Sequence, residues 1–172
     1  MKIKRNQGGQ SMTFLIQGII LCIVFTLIVI PSTLKNPLQQ LFNYPPKIQE
    51  RVKSLPEYKD RIPTNKKKLS LKITAAVLIA IILAAIAYFS GAKTFVAALI
   101  YTYGLWMVAN WFDTFVLDVI VFCHVKRFRL PGTEDMVREY ESPWFHIIMG
   151  IRGSMIGIVI STVAAGLIGL VS

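Results

Sequence analysis

Four apolar blocks, each long enough to cross a lipid bilayer as a helix, constrain this chain more than any other feature. They cover residues 13–30, 69–89, 94–124 and 147–171, and they hold most of the hydrophobic residues, which make up 54% of the 172-residue sequence. A membrane-spanning helix needs about 20 apolar residues to cross roughly 30 Å of hydrocarbon. Soluble domains average only about 45–50% apolar residues. The sequence therefore predicts one membrane domain, an all-α bundle of four transmembrane helices.

The two long polar connections between the blocks predict short amphipathic helices. Prolines recur through residues 31–68 and exclude a long helix there, while Pro46 is placed to begin a short helix with Ile48 on its apolar side. Within residues 125–146, Thr133 is predicted to cap a second short helix.

Basic residues beside the blocks predict which ends of the helices face the cytosol. Nine Lys and Arg residues lie within 31–70 and four within 125–145, whereas the turn after the second block has only Lys93. Because cytosolic loops carry an excess of Lys and Arg, both long connections are predicted to be cytosolic and both termini to lie outside. Three basic residues near the N terminus oppose this orientation.

The formal net charge of +10 fits a lipid bilayer better than nucleic acid. The basic residues flank the apolar blocks, where they meet anionic lipid headgroups. Cys22 and Cys123 both lie inside apolar blocks and form no C-x-x-C motif, which predicts buried free thiols. We therefore expect the lipid bilayer, and no nucleic acid, as a partner.

Small residues recur every four positions in the last block, and this ladder is the strongest packing signal in the sequence. Small side chains let two membrane helices approach closely. An alanine stripe in the second block is one predicted partner of the ladder, and a second copy of the chain or another membrane subunit is the alternative. The residues are Gly153, Gly157, Ser161, Ala165 and Gly169 in the ladder, and Ala76, Ala80 and Ala84 in the stripe.

Polar side chains expected at the cytosolic ends of the blocks form the candidate site. Ionisable residues at membrane depth are functional candidates by default. On an α-helix of about 100° per residue, Asp113 and His124 share a face, whereas Asp118 points about 140° away from Asp113. The candidates are Asn110, Asp113, Asp118, His124, Glu134, Asp135, His146 and Arg152.

Two interpretations of this set remain open. Arg152 is expected at the depth of Asp113, so the two charges can satisfy each other as a structural pair. Alternatively, the set binds a cation, relays protons or hydrolyses a molecule at the headgroup level, and His124 and His146 with carboxylates make one metal site conceivable. The sequence identifies no metal and no cofactor. It lacks the H-E-x-x-H, G-x-S-x-G and P-loop motifs, and their absence favours a non-enzymatic protein.

Several motifs stand out along the second half of the chain: the run NWFDTFVLDVIVFCHVKRFRLPGTEDM from Asn110 to Met136, then Tyr140 and WFH at 144–146, with GAKT at 91–94. In these motifs the chain resembles a family of small four-helix membrane proteins of Gram-positive bacteria, described only as hypothetical membrane proteins. The resemblance covers about residues 44–172. It implies four membrane helices in a bacterial plasma membrane, and it implies no activity.

Two functions follow as expectations. The first is a non-enzymatic scaffold or transporter-associated subunit that docks through the small-residue face of the last helix. The alternative is a small membrane enzyme or a cation- or proton-handling protein, with its Asp/His site at the cytosolic membrane interface.

Overall fold

The computed structural model describes residues 3–59, 61–62 and 65–171, and the fold is all-α, with no strand in these ranges. Four stretches are long and apolar enough to cross a membrane: Ser11–Lys35, Leu69–Phe89, Phe95–Phe122 and Val137–Val171. This confirms the predicted all-α class and the four apolar helices. The α-helices are α1 (Ile3–Lys35), α2 (Pro46–Ser54), α3 (Asn65–Phe89), α4 (Phe95–Phe112), α5 (Val137–Tyr140) and α6 (Trp144–Val171).

The first helix extends further than the apolar block that predicted it. It continues through Pro31 to Lys35, whereas the sequence pattern ended it at Pro31. Proline removes one backbone donor from a helix. The hydroxyls of Ser32 and Thr33 both donate to the Val29 carbonyl, at 3.0 and 2.8 Å, in the turn that contains the proline. Proline is tolerated inside apolar membrane helices, so the helix can continue past it.

Helix α4 contacts the other three long helices. It packs against α6, α1 and α3, and α6 also packs against α3. The core between these helices is built largely from alanine, leucine and isoleucine, because small side chains allow the backbones to approach. Its buried members on the three inner helices include Ala80, Leu83, Ala84 and Ala87 of α3, Ala98 and Leu105 of α4, and Ile160, Ala164, Ala165 and Ile168 of α6.

The small-residue ladder of α6 contacts two different helices inside the chain. Added side-chain atoms at Gly153 and Gly157 would overlap Asn110 and Trp106 of α4. Further along the ladder, Ser161 and Ala165 are fully buried, and Ala165 belongs to the cluster that holds Ala80 and Ala84 of α3. At the end of the ladder Gly169 is exposed, and Ala76 of the alanine stripe is half-buried. Most of the ladder is therefore occupied by intrachain packing.

Both long connections fold together into a small cap at one end of the bundle. The Tyr44 hydroxyl donates to the Phe128 carbonyl at 2.8 Å, and the Tyr58 hydroxyl donates to the Pro131 carbonyl at 3.1 Å. Burial raises the pKa of Tyr44, whose ring is 7% exposed. The apolar centre of the cap consists of Leu41, Tyr44, Ile48, Val52, Tyr58, Leu130 and Tyr140.

The predicted helix cap at Thr133 is not formed. Helix α5 begins only at Val137, and Thr133 is fully buried four residues earlier. Its hydroxyl donates to the Leu130 carbonyl at 2.7 Å and lies 2.7 Å from the Tyr140 hydroxyl. The Thr133 hydroxyl therefore stabilises the turns of this connection and does not accept a hydrogen bond from the first N–H groups of α5.

At the opposite end of the bundle, one glutamine links α1 to α4 and to the turn before it. Gln17 of α1 donates to the Ser90 hydroxyl at 2.9 Å and accepts from the Tyr101 hydroxyl at 2.7 Å. Ser90 lies in the turn between α3 and α4, where Gly91 adopts a φ of 89° that favours glycine. The start of α1 and this turn thus share the end that faces away from the cap.

Candidate functional site

A π-helical segment from Asp113 to Phe122 continues α4 toward the cap. In a π-helix each N–H bonds the carbonyl five residues earlier, as the Cys123 N–H does with the Asp118 carbonyl. Residues five apart therefore lie close to one face, and Asp113, Asp118 and Cys123 are each five apart. The sequence prediction that the two aspartates diverge assumed a regular α-helix and is wrong for this segment.

His146 faces this row of side chains from the first turn of α6. Its Nδ1 atom lies 3.2 Å from Asp118 Oδ2, and its side chain is only 8% exposed. The Cys123 thiol contacts the same imidazole. This Asp118–His146 pair joins the π-helical segment to α6, and a proton can be held between the two side chains.

Asp113 lies one π-turn deeper and has no such partner. Its side chain is half-buried, and the charged side chains that act on it are Asp118 and His146. Among the residues that the structure describes, none donates a hydrogen bond to its carboxylate or pairs with it within 4 Å. The structural pair expected between Asp113 and Arg152 is absent from that set. The Arg152 guanidinium instead contacts the Met149 sulfur at 3.7 Å.

Asn110 fixes the position of the segment relative to α6. Its amide donates to the Gly150 carbonyl at 2.9 Å and to the Ser154 hydroxyl at 3.3 Å. The backbones can come this close because Gly150 has no side chain: a Cβ there would lie 2.5 Å from Thr114 Oγ1. Hydrogen bonds and close packing therefore hold the last turn of α4 against α6, immediately before the π-helical segment begins.

A cavity of about 320 Å³ opens beside these residues. Side chains of α1 form one wall and side chains of α6 the other, with the π-helical segment behind them and the cap above. Amide, carboxylate and aromatic groups line the end near the cap, and Phe25 and Ile156 line the end nearer the bundle centre. Five of the predicted site residues line it together: Asn110, Asp113, Asp118, His146 and Arg152.

The other three predicted site residues lie outside the cavity. His124 is exposed, with its Nδ1 atom 2.9 Å from the Val119 carbonyl of its own helical segment. Glu134 accepts from the Gly132 N–H at 2.8 Å, and Asp135 forms an exposed 2.8 Å ion pair with Arg51 of α2. These contacts stabilise the cap and bring no functional group to the cavity.

Sequence reasoning missed two kinds of residue at this site. Cys123 is a buried free thiol as predicted, but its place beside His146 was missed, although its five-residue spacing from Asp118 is the spacing of a π-helix. Tyr44 and Tyr140 line the cavity from the cap, and their ring centroids lie 6.0 Å apart. The folding of two distant connections onto each other has no local sequence signal.

The site does not present a ready metal centre. Within the described ranges, no group of three His, Cys, Asp or Glu side chains is arranged to hold a metal ion. The geometry provides a carboxylate without a partner, a carboxylate–imidazole pair and an arginine, all lining one partly enclosed space.

Comparison with known proteins gives no relative: no protein-family model, no curated protein and no solved structure matches this chain.

Proposed function

We propose that this chain is a multi-pass protein of the bacterial cell membrane that binds a cationic group in the cavity beside Asp113 and the Asp118–His146 pair. The cap and both long connections lie on the cytosolic side in this proposal, because they carry most of the Lys and Arg residues beside the apolar helices. The site then lies at the cytosolic membrane interface.

The observation that carries this function is the Asp113 carboxylate. An ionised side chain inside an apolar helix is energetically expensive and normally finds a partner. Asp113 has none among the described residues, yet it borders a cavity with room for one. A second carboxylate, Asp118, lies on the same face, where it is paired with His146. The arrangement is complementary to a bound cation, which supplies the missing charge.

The scaffold function, which was the first expectation from the sequence, loses its main support. It was expected to dock through the small-residue ladder of α6, but that face is largely buried against α3 and α4. Only its last member, Gly169, is open, with no atom within 4 Å of an added side chain. A single exposed glycine does not make the continuous stripe that close helix association requires.

Thermal unfolding of the detergent-purified protein tests the proposal. The probes are the chloride salts of sodium, ammonium, methylammonium, tetramethylammonium and magnesium, compared at one ionic strength. A ligand that binds only the folded state stabilises it by about 2.7 kcal/mol at one hundred times its dissociation constant. We expect at least one cation to raise the unfolding midpoint, and the increase to vanish in Asp113→Asn.

Glu50→Gln is the matched control, because it removes one exposed carboxylate from α2, outside the cavity. It should retain the full response to the cation. Two results would refute the proposal: no cation in the series stabilises the protein, or Asp113→Asn responds as strongly as the control.

A further inference from the structure

We infer that the ligand is a phospholipid with a primary-amine headgroup, its ammonium bound by Asp113 and its phosphate by Arg152. This inference rests on the proposed function and names the ligand class for the same cavity. It follows from the signs of the charges, from their depth along α6, and from the walls of the cavity.

Two opposite charges line this cavity without neutralising each other. Asp113 and Arg152 both border it, yet no ion pair within 4 Å joins them in the described part of the chain. Arg152 is exposed, and among the described residues its one polar contact is the weak one with the Met149 sulfur. A zwitterion with its two charges a few bonds apart satisfies both residues at once, which neither an anion nor a simple cation does.

The hydrogen-bonding capacity of the carboxylate favours a primary amine. An ionised aspartate only accepts hydrogen bonds, and Asp113 accepts none from the described side chains. A primary ammonium offers three N–H donors, and charge-assisted hydrogen bonds of this kind are short and strong. A choline group has the same charge but no N–H, so it leaves the carboxylate unsatisfied.

The depth of these residues matches the headgroup layer of a bilayer. Helix α6 has 28 residues, which is about 42 Å at 1.5 Å per residue and close to the 40–45 Å of a bilayer with its headgroups. If α6 is centred in the membrane, hydrocarbon begins about four residues into the helix. His146 then lies among the headgroups. Arg152 lies about one turn inside the hydrocarbon boundary, from where a long side chain reaches back to phosphate.

The walls of the cavity fit a headgroup with attached acyl chains. At roughly 30 Å³ per water-sized group, about 320 Å³ holds about ten such groups. A phosphoethanolamine headgroup, with about eight non-hydrogen atoms, fits this space. Because α1 packs mainly on α4, the cavity lies between α1 and α6 at the lipid-facing surface. Ile156, which is 55% exposed, lines its deeper end, where the acyl chains would meet hydrocarbon.

Lipid titration of the purified full chain in detergent tests this inference, with the unfolding midpoint as the readout. The probes are dioleoyl-phosphatidylethanolamine, dioleoyl-phosphatidylcholine, dioleoyl-phosphatidylglycerol and soluble O-phosphoethanolamine. We expect phosphatidylethanolamine to stabilise the protein most. Asp113→Asn and Arg152→Gln should each raise the lipid concentration for half the effect by at least about tenfold, as the loss of a charged hydrogen bond requires.

Arg127→Gln is the control for the arginine, since Arg127 is exposed and does not line the cavity. It should behave as the unmodified protein does. Asp113→Asn keeps the shape of a side chain that has no partner in the described chain, so it should fold. The weaker lipid response of that variant is then a binding effect.

Three outcomes overturn the inference, and each is distinct. Equal stabilisation by the ethanolamine and choline lipids removes the role of the N–H donors. Equal stabilisation by soluble O-phosphoethanolamine and by the lipid removes the role of the acyl chains and assigns the cavity to a water-soluble zwitterion. If methylammonium stabilises through Asp113 while no phospholipid does, the cation-binding function stands and the lipid assignment fails.

Discussion

Gly157→Ala should destabilise the bundle, because Gly157 is the point of closest approach between α6 and an aromatic ring of α4. The alanine Cβ would overlap the indole of Trp106. That indole cannot simply rotate away, since its Nε1–H donates to the Gly153 carbonyl at 2.9 Å. The substitution therefore forces the helices apart or breaks this hydrogen bond.

The magnitude follows from these two effects. Inserting a methyl group into a well-packed core costs about 1–3 kcal/mol, and an interhelical hydrogen bond in a membrane protein contributes about 0.6–1.7 kcal/mol. Together they predict a loss of about 2–4 kcal/mol in the free energy of unfolding. Glycine-to-alanine replacement also raises helix propensity, so the loss must be measured against a control in the same helix.

Gly166→Ala provides that control. No atom lies within 4 Å of a Cβ added at Gly166, so only the helix propensity changes. Both variants are unfolded with SDS in mixed micelles and followed by tryptophan fluorescence and circular dichroism. The difference between their free energies of unfolding reports the cost of the Trp106 contact alone.

A double-mutant cycle decides whether the indole is the cause. In a Trp106→Leu background the ring is absent, so Gly157→Ala should lose more than half of its effect, a coupling of at least about 1 kcal/mol. If Gly157→Ala is as stable as Gly166→Ala, or if its cost is unchanged without the indole, the close packing of α4 on α6 is not as described.

Three further predictions concern the cap and the π-helical segment. His146→Ala should cost about 1–3 kcal/mol by leaving its half-buried carboxylate partner unpaired, whereas exposed His124→Ala should stay within about 0.5 kcal/mol in the same SDS assay. Since burial raises the Tyr44 pKa, resistance of the cap to trypsin should be constant below about pH 10 and fall as pH rises above it, less steeply in Tyr44→Phe. Deleting both Phe115 and Ile120 makes Asp113, Asp118 and Cys123 successively four residues apart instead of five. The segment should then fold as a regular α-helix that keeps these three side chains on one face. Loss of the folded circular dichroism spectrum would contradict this.

The architecture was largely predictable because it depends on local composition. A run of about 20 apolar residues has few stable forms other than a helix, so the four long helices follow from block length alone. Pro46 begins α2 as predicted, because proline suits the first turn of a helix. Glycine at position 91 similarly marks the tight turn between α3 and α4.

The site was less predictable, because its geometry depends on a helix type that a simple periodicity does not reveal. At 100° per residue, Asp113 appears to share a face with His124 and to diverge from Asp118. The i→i+5 bonding of the π-helical segment reverses this relation. The pairing of Asp118 with His146 joins residues on different helices, so no local sequence pattern predicts it.

The order of features along α4 explains how the site is held open. Asn110 and Trp106 clamp α4 to the glycine-rich start of α6, so the helix is fixed immediately before the π-helical segment. The π-turns then place Asp113 and Asp118 at the cavity between α1 and α6, where Asp118 also pairs with His146 of α6. A bundle selected only for packing would place apolar side chains in that space. π-Helices are rare and tend to occur at functional sites, and unpartnered charges at membrane depth are expensive; their coincidence at one cavity is why we assign binding there.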